Sequence, residues 1–387
     1  VPGIDREVLN QAFQGGTGLL ELFDLFSGGS FSNMTIFALS ITPYITASII
    51  LQLLTIAIPA LERLSREGTE GRKKITQYTR YLTVALAFVQ AIGVSVGMFR
   101  QALISTDFFS VAVIVIVLSA GTAFLMWLGE KINENGIGNG ISLLIFAGII
   151  SNFAVTIGGY IYQLFVDASL FPIGQFLAII LVFLILIVGV VFVDLGERRI
   201  PVQYAKRVVG RKMYGGQSTH IPLKINASGV LPLIFASAIM QFPGTIFAFF
   251  PNSNLSTWWS NNVNPMTWGY QIIFALMILG FTFFYSTISF NPVEISKNMQ
   301  QNGGMIPGIR QGKPTSDFIN RISRRITLFG AFFLAFLAVL PTVVYVIFGV
   351  NLPFAASSLL IAVSVAMETM RQLESQMLMR HYKGFLK

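Results

Sequence analysis

The sequence predicts an all-α polytopic membrane protein built from two inverted five-helix halves. Hydrophobic residues make up 54% of its 387 residues and charged residues only 11%, too few to cover a water-soluble protein of this length. Nine apolar stretches also reach the length of about 20 residues that an α-helix needs to cross a hydrocarbon core of about 30 Å. They are residues 31–58, 78–99, 108–128, 141–164, 173–193, 227–250, 268–290, 326–348 and 352–370.

Basic residues give these spans an orientation. Only Arg6 and Arg100 lie on one side of the predicted membrane, which leaves 24 of the 26 Lys and Arg residues on the other side. The positive-inside rule places the basic side, and the C-terminus with it, in the cytoplasm. Most of the net charge of +9 is therefore cytoplasmic.

A motif of ten residues occurs twice and predicts the internal symmetry. PYITASIILQ at 43–52 and PLIFASAIMQ at 232–241 share proline, two isoleucines, alanine, serine and glutamine in register. The first copy runs toward the cytoplasm and the second away from it, as in the inverted repeats of membrane transport proteins. Three spans follow each copy, but one span precedes only the second. The symmetry predicts two halves, residues 1–160 and 161–387, and a further helix before Val1.

A shorter apolar segment precedes the first repeat. Between residues 19 and 26, apolar side chains recur at i, i+3, i+4 and i+7, with Glu21 and Asp24 on the opposite side. This segment is too short to cross a membrane. It predicts a two-turn amphipathic helix at the outer face, which either lies on the bilayer or folds back into the protein.

The spans lack the residues that several chemistries require. No Asp, Glu, Lys, Arg or His lies in the middle of a span, which argues against a carrier coupled to protons or sodium. Both histidines, His220 and His381, fall in cytoplasmic segments, and no phosphate-binding loop GxxxxGKS/T occurs. Without cysteine, neither a disulfide nor a thiolate metal site can form. We expect no enzyme activity, no metal and no cofactor, so that a partner supplies any energy.

Isoleucines one helical turn apart mark a candidate constriction. Ile41 and Ile45 share a helix face, as do Ile141 and Ile145. A ring of such side chains would exclude water and ions by dewetting and still part for a larger object. The same spacing also suits ordinary packing or lipid-facing surface. Gln90, strongly polar and deep in its span, is either a packing hydrogen-bond partner or a functional group.

Two cytoplasmic loops, residues 194–224 and 291–325, carry more basic residues than topology requires. Their Gly and Pro turns and their charge predict a docking surface for an acidic protein or RNA. The alternative is solvated charge that only fixes topology. Their basic residues include Arg198, Arg199, Lys206, Arg207, Arg211, Lys212, Arg310, Lys313, Arg321, Arg324 and Arg325.

The sequence resembles the SecY family, the central subunits of the bacterial protein-conducting channel. The resemblance covers nearly every residue. It is carried by MTIFALSITPYITASIILQLL (34–54), EGTEGRKKITQYTRY (67–81), MWLGEKINENGIGNGIS (126–142), QSTHIPLKIN (217–226) and the stretches 198–207 and 291–314. Family members have ten spans, with one before the VPGID stretch, which agrees with the symmetry argument.

The resemblance implies a passive channel for unfolded preproteins, with a lateral gate between spans 31–58 and 78–99 on one side and 227–250 and 268–290 on the other. The family's pore ring would fall on Ile41, Ile45, Ile141, Ile145, Ile234 and Ile361. Its plug would contain Leu19, Leu20, Leu22, Phe23, Leu25 and Phe26, and its polar gate residues would be Thr46, Gln90 and Asn226. The partner-binding loop residues would be Arg198, Arg199, Lys206, Arg207, Arg211, Lys212, Arg310 and Lys313.

The resemblance also implies the partners and the location. These are SecE and SecG subunits, the motor ATPase SecA, the ribosome, signal sequences and membrane lipid, in the bacterial cytoplasmic (inner) membrane. The sequence leaves two other functions open. One is a secondary solute carrier with inverted repeats, and the other is an insertase that handles hydrophobic segments without a pore.

Overall fold

The computed structural model describes most of the chain. The described residues are 1–5, 8, 27–98, 102–105, 107–166, 173–204, 207–209, 212–214, 218–226, 229, 231–248, 253–263, 267–348 and 356–383. The predicted plug segment at 19–26, Lys206 and Arg211 lie outside these residues.

Helices dominate the described chain. The helices are α1 Thr42–Ala57, α2 Pro59–Arg66, α3 Thr69–Ile92, α4 Phe108–Asn135, α5 Gly140–Val166, α6 Ile173–Leu195, α7 Leu231–Ala248, α8 Asn254–Asn262, α9 Trp268–Ser289, α10 Pro292–Gln301, α11 Lys313–Phe348 and α12 Ala356–Lys383. The strands are β1 Glu197–Tyr204, β2 Arg207–Val209, β3 Lys212–Tyr214, β4 Ser218–Lys224 and β5 Gly304–Met305.

Each of the nine predicted spans overlaps one helix, which is α1, α3, α4, α5, α6, α7, α9, α11 or α12. Among the described residues, five helices are long and apolar enough to cross a membrane, and a sixth span results if α1 and α2, bent by 106° at their junction, count together. The prediction of an all-α, polytopic membrane fold is confirmed for this part of the chain.

The first predicted span begins too early. Residues 31–41 are apolar but form turns, and the helix starts at Thr42. Met34 and Ser40 have φ angles of 40° and 52°, a left-handed conformation that an α-helix does not contain. These turns are partly buried: Phe31 and Met34 are each 1% exposed, whereas Ile36 is 49% exposed.

The duplicated motif forms the same local structure twice. Pro43 is the second residue of α1 and Pro232 the second residue of α7. Proline suits this first turn because its missing amide has no partner in a helix anyway. Four residues later, Ala47 and Ala236 are both fully buried, so each copy presents a small side chain to its neighbours.

Small buried residues let α3 pack closely against its neighbours α1 and α4. They recur at every fourth position and are Thr79, Thr83, Ala87, Ala91 and Ser95. The helix ends in a π-helical turn at Gly93–Met98, where the Ser95 hydroxyl donates to the Ala91 carbonyl at 2.7 Å.

Eight of the long helices close into a ring, here called the helix ring. In order of contact they are α1, α3, α4, α5, α12, α11, α9 and α7, and α7 returns to α1. Helix α6 lies beside α12 and reaches α5 through the stacked rings of Phe153 and Phe183, 4.7 Å apart. The predicted halves therefore meet in two places, where α5 contacts α12 and α6 and where α7 contacts α1 and the π-helical turn.

The two basic loops fold together, which the sequence analysis did not predict. Strand β1 pairs antiparallel with β4 from Glu197↔Lys224 to Gln203↔Ser218, and its end pairs with β5 at Gln203↔Met305. Helix α10 and the start of α11 cover this sheet. The shared core consists of Ile200, Val202, Leu223, Met299, Ile306 and Ile319. We call this unit the loop subdomain.

Candidate channel site

The six predicted pore-ring isoleucines lie in one apolar cluster. Ile41 and Ile45 come from the start of α1, Ile141 and Ile145 from α5, Ile234 from α7 and Ile361 from α12. Four are buried, with exposed fractions of 3% for Ile41, 3% for Ile145, 8% for Ile234 and 0% for Ile361. Ile45 and Ile141 are half-buried and pack against the same cluster. Four helices from both predicted halves thus contribute these isoleucines to one hydrophobic cluster, which also contains many other residues, so the pore ring itself stays a prediction.

Glycines position the α5 pair. A Cβ on Gly140 would lie 2.1 Å from the carbonyl oxygen of Gly129 on α4, so only glycine permits this close approach of the two helices. Gly138 has a φ angle of +88°, which L side chains rarely adopt. The Asn139 side chain then accepts from the Ile141 amide at 3.1 Å and caps the helix. This local geometry fixes where Ile141 and Ile145 enter the cluster.

The symmetry of the repeat extends into the cluster. Ile45 and Ile234 occupy the same place in the two copies of the motif, three positions after the first-turn residues Thr42 and Leu231. Both belong to, or pack against, the same cluster. One duplicated motif therefore supplies a pore-ring candidate from each half.

The three predicted gate residues are not joined by hydrogen bonds in the described part of the chain. The Thr46 hydroxyl donates to the Thr42 carbonyl of its own helix at 3.1 Å. Gln90 is half-buried on α3. Asn226 lies just before α7, and its side-chain oxygen is buried without a partner among the described residues. A polar cluster formed by these residues stays a prediction.

The predicted gate coincides with the contact of α1 and the end of α3 with α7. No hydrogen bond joins the described side chains of α1 and α7. Behind α7, in contrast, α9 is tied to α11 by two buried hydrogen bonds, Gln271 to Thr342 at 2.7 Å and Ser286 to Thr327 at 2.9 Å. We call the contact of α1 and the π-helical turn with α7 the seam.

Ion pairs join helices within each half. Arg80 of α3 and Glu130 of α4 lie 2.7 Å apart, and Arg371 of α12 and Asp194 of α6 lie 3.3 Å apart. Arg371 also donates to the Asp194 carbonyl at 3.1 Å. In the described chain no ion pair crosses the seam.

The partner-binding candidates lie on the loop subdomain as far as they are described. Arg198 and Arg199 are exposed on β1, where Arg199 pairs with Glu197 at 2.6 Å. Arg310 is exposed between β5 and α11, and Lys313 is the exposed first residue of α11. Arg207 and Lys212 contribute backbone to the hairpin of β2 and β3. Since β1 pairs with β5, one folded unit carries basic residues from both loops.

Sequence reasoning missed the core of this subdomain. Ile200 and Val202 are buried and alternate with exposed neighbours on β1, which is the periodicity of a strand. That alternation is the signal that would have identified β1. The searched residues contain no group of three or more His, Asp or Glu side chains that could hold a metal ion.

A ring of long helices packed on one hydrophobic cluster, several of them apolar enough to cross a membrane, defines the class: a polytopic membrane protein. The comparisons with known proteins agree. The family model SecY matches residues 35–370. Protein translocase subunit SecY of Streptomyces galbus is 44% identical over 410 residues, which cover 100% of this chain and 92% of that protein. The chain belongs to the SecY family.

Solved structures share the fold. A structure described as that of a protein conducting channel aligns with a TM-score of 0.68 at 20% identity, covering 92% of this chain and 84% of that one. Sec61 in a canine ribosome–channel complex from the endoplasmic reticulum aligns with a TM-score of 0.63 at 20% identity, covering 88% and 81%. Membership in a family of translocase subunits decides against a solute carrier.

Proposed function

We propose that this chain is a protein-conducting channel that passes unfolded secretory polypeptides across a membrane and releases hydrophobic segments laterally into the lipid. The observation that carries the proposal is the convergence of six isoleucines from α1, α5, α7 and α12 on one apolar cluster, in a chain of the SecY family. Each part of the mechanism follows from the chemistry of that cluster and of the seam.

An apolar constriction suits a cargo of variable sequence. A pore that used specific hydrogen bonds would hold some polypeptides and reject others. Isoleucine offers no hydrogen bond, so it gives a passing chain no site at which to stop. Before a chain enters, the same side chains close the pore to water and ions by dewetting.

Lateral release fits the seam. A signal sequence carries an apolar core of about 7–15 residues and gains free energy by entering lipid. We assign its exit to the seam because the described side chains of α1 and α7 are not joined by hydrogen bonds there. Opening would be a rocking of the half at 1–160 against the half at 161–387 about the contact of α5 with α12. Residues 19–26 keep their proposed role as the plug.

The chain is proposed to be passive rather than an enzyme, with energy supplied by a partner. We assign the ribosome and the motor ATPase SecA to the loop subdomain, whose exposed Arg198, Arg199 and Arg310 present positive charge. SecE and SecG are the proposed accessory subunits. The basic side then faces the cytoplasm of a bacterium, and the C-terminus lies on that side of the cytoplasmic membrane.

Cysteine crosslinking tests the proposal directly, because the sequence contains no cysteine. Single cysteines at Ile45, Ile141, Ile234 or Ile361 should crosslink to a secretory chain arrested in transit. Cysteines at the exposed α6 positions Leu184 (54%) and Val188 (66%) are matched controls and should not.

Equal labelling at the α6 controls would contradict the pore assignment. The arrested chain should lack any hydrophobic segment apart from its signal sequence. An insertase without a pore would then give crosslinks to the signal sequence only, whereas a channel gives crosslinks along the whole polar chain.

A further inference from the structure

The short helix α8 lies at the end of α9 that is remote from the loop subdomain. The stretch that begins at Trp268 is long and apolar enough to cross a membrane. Helix α9 has 22 residues and is therefore about 33 Å long, which matches a hydrocarbon core of about 30 Å. Because the loop subdomain follows the far end of α9, its first turn, with α8 just before it, lies at the opposite membrane surface.

Contacts with two helices hold α8 at this level. The Thr267 hydroxyl donates to the Asn262 carbonyl at 3.0 Å, and a Cβ on Gly269 would lie 3.2 Å from the same oxygen. The end of α8 is thus close to the first turn of α9. Helix α8 also contacts α7, where the rings of Trp259 and Phe247 have centroids 5.5 Å apart. The helix is therefore fixed to two members of the helix ring.

The apolar side of α8 is only partly used by these contacts. Leu255, Trp258 and Trp259 stand at i, i+3 and i+4 and so share one side of the helix. Trp259 packs against the channel cluster, whereas Leu255 is 66% exposed and Trp258 57% exposed. Thr257 is also exposed but points to the opposite, polar side. Two large apolar side chains therefore project from α8 beside the packed tryptophan.

Charge and continuity identify what these two side chains contact. The sequence has no Asp, Glu, Lys, Arg or His between Lys224 and Glu294, so no charged side chain in this segment would have to enter lipid. On α9, Trp268, Ile272 and Leu276 recur every fourth residue and are 52%, 58% and 62% exposed, as the lipid-facing surface of a span requires. Helix α8 is bonded to the end of α9 at which this surface begins.

We propose that α8 is an interfacial anchor whose Leu255 and Trp258 side chains insert into the boundary between lipid headgroups and acyl chains. Tryptophan is enriched at this depth because its ring is apolar and its N–H can still bond to the headgroup region. A helix of this kind lies in the membrane plane with its apolar side about 5–10 Å deep. Since α8 is attached to α7 and α9, the anchor sets the depth of both helix ends in the bilayer.

Spin labels on single cysteines test the anchor in the full chain, because the sequence contains no cysteine. The protein is placed in nanodiscs of phosphatidylcholine, and the collision rates of each label with oxygen, which dissolves in lipid, and with a nickel chelate, which stays in water, are measured. Labels at Leu255 and Trp258 should collide more with oxygen and report a depth of about 5–10 Å. A label at Ile272 supplies the hydrocarbon reference.

Thr257→Cys is the matched control, since it is an exposed position on the polar side of the same helix. Its label should collide more with the nickel chelate. If the labels at Leu255 and Trp258 meet the chelate as often as the label at Thr257 does, the apolar side lies in water and the anchor is wrong. If they meet neither reagent, protein rather than lipid covers this side, and the anchor is equally wrong.

Discussion

Ile361→Ala should make the closed channel leak ions. The side chain of Ile361 is 0% exposed and packs in the cluster that contains the other pore-ring candidates. Truncating a buried isoleucine to alanine costs about 2–5 kcal/mol, because apolar contacts are lost and a cavity remains. We take the loss as about 3 kcal/mol and assign about half of it to contacts that exist only in the closed pore. The closed state is then destabilised relative to the open state, and the ratio of open to closed channels rises about tenfold.

Ile278 of α9 provides the matched control. It is also an isoleucine, also 0% exposed and a member of the same cluster, but it lies outside the proposed pore ring. Ile278→Ala should therefore lower the thermal stability of the purified protein about as much as Ile361→Ala does, without raising the leak.

The assay is the efflux of a small ion from proteoliposomes that contain each variant, alongside thermal unfolding in detergent. Separating these two readouts is what tests the pore ring. If both variants leak equally, the leak reflects general loosening of the cluster. If neither leaks while both are destabilised, Ile361 does not seal the pore. Either result would refute the reasoning.

Three further predictions concern packing and docking. A Cβ on Gly121 would lie 2.0 Å from the carbonyl oxygen of Ile36, so Gly121→Ala should lower the unfolding temperature. Gly280 has nothing within 4 Å of a Cβ, so Gly280→Ala should raise the unfolding temperature, because alanine in a helix is more stable than glycine by about 0.5–1 kcal/mol. Ile319→Ala removes a 0% exposed side chain from the loop subdomain and should cost that unit about 2–5 kcal/mol, seen as faster proteolysis confined to the loops. Arg310→Glu should abolish motor-driven export while the protein still inserts; unchanged export would remove Arg310 from the docking surface.

Composition predicts the helices well because a helix that crosses a bilayer needs a long apolar sequence. Each apolar stretch here overlaps one helix. Composition does not place the helix ends. Residues 31–41 are as apolar as a span, and only backbone conformation, such as the positive φ angle of Ser40, separates these buried turns from the helix that follows. Apolar residues such as Phe31 and Met34 are buried in turns here as well as in helices, so composition alone does not separate the two.

Contacts between distant segments escaped prediction for a different reason. Strands β1 and β5 are separated by about 100 residues in the sequence, and β5 is only two residues long. No local sequence pattern therefore predicts that they pair. The pore ring is similar. Spacing along one helix paired Ile41 with Ile45, but only the resemblance to a known family linked them to Ile361. Convergence of four helices is a property of tertiary packing.

Helix α11 joins two cores that would otherwise be separate. Its 36 residues extend about 54 Å, well beyond a hydrocarbon layer of about 30 Å. Ile319 lies in the core of the loop subdomain, and Leu334, about 22 Å further along the axis, lies in the channel cluster. One continuous helix therefore links the two cores, and its two hydrogen bonds with α9 join the loop subdomain to the helix ring.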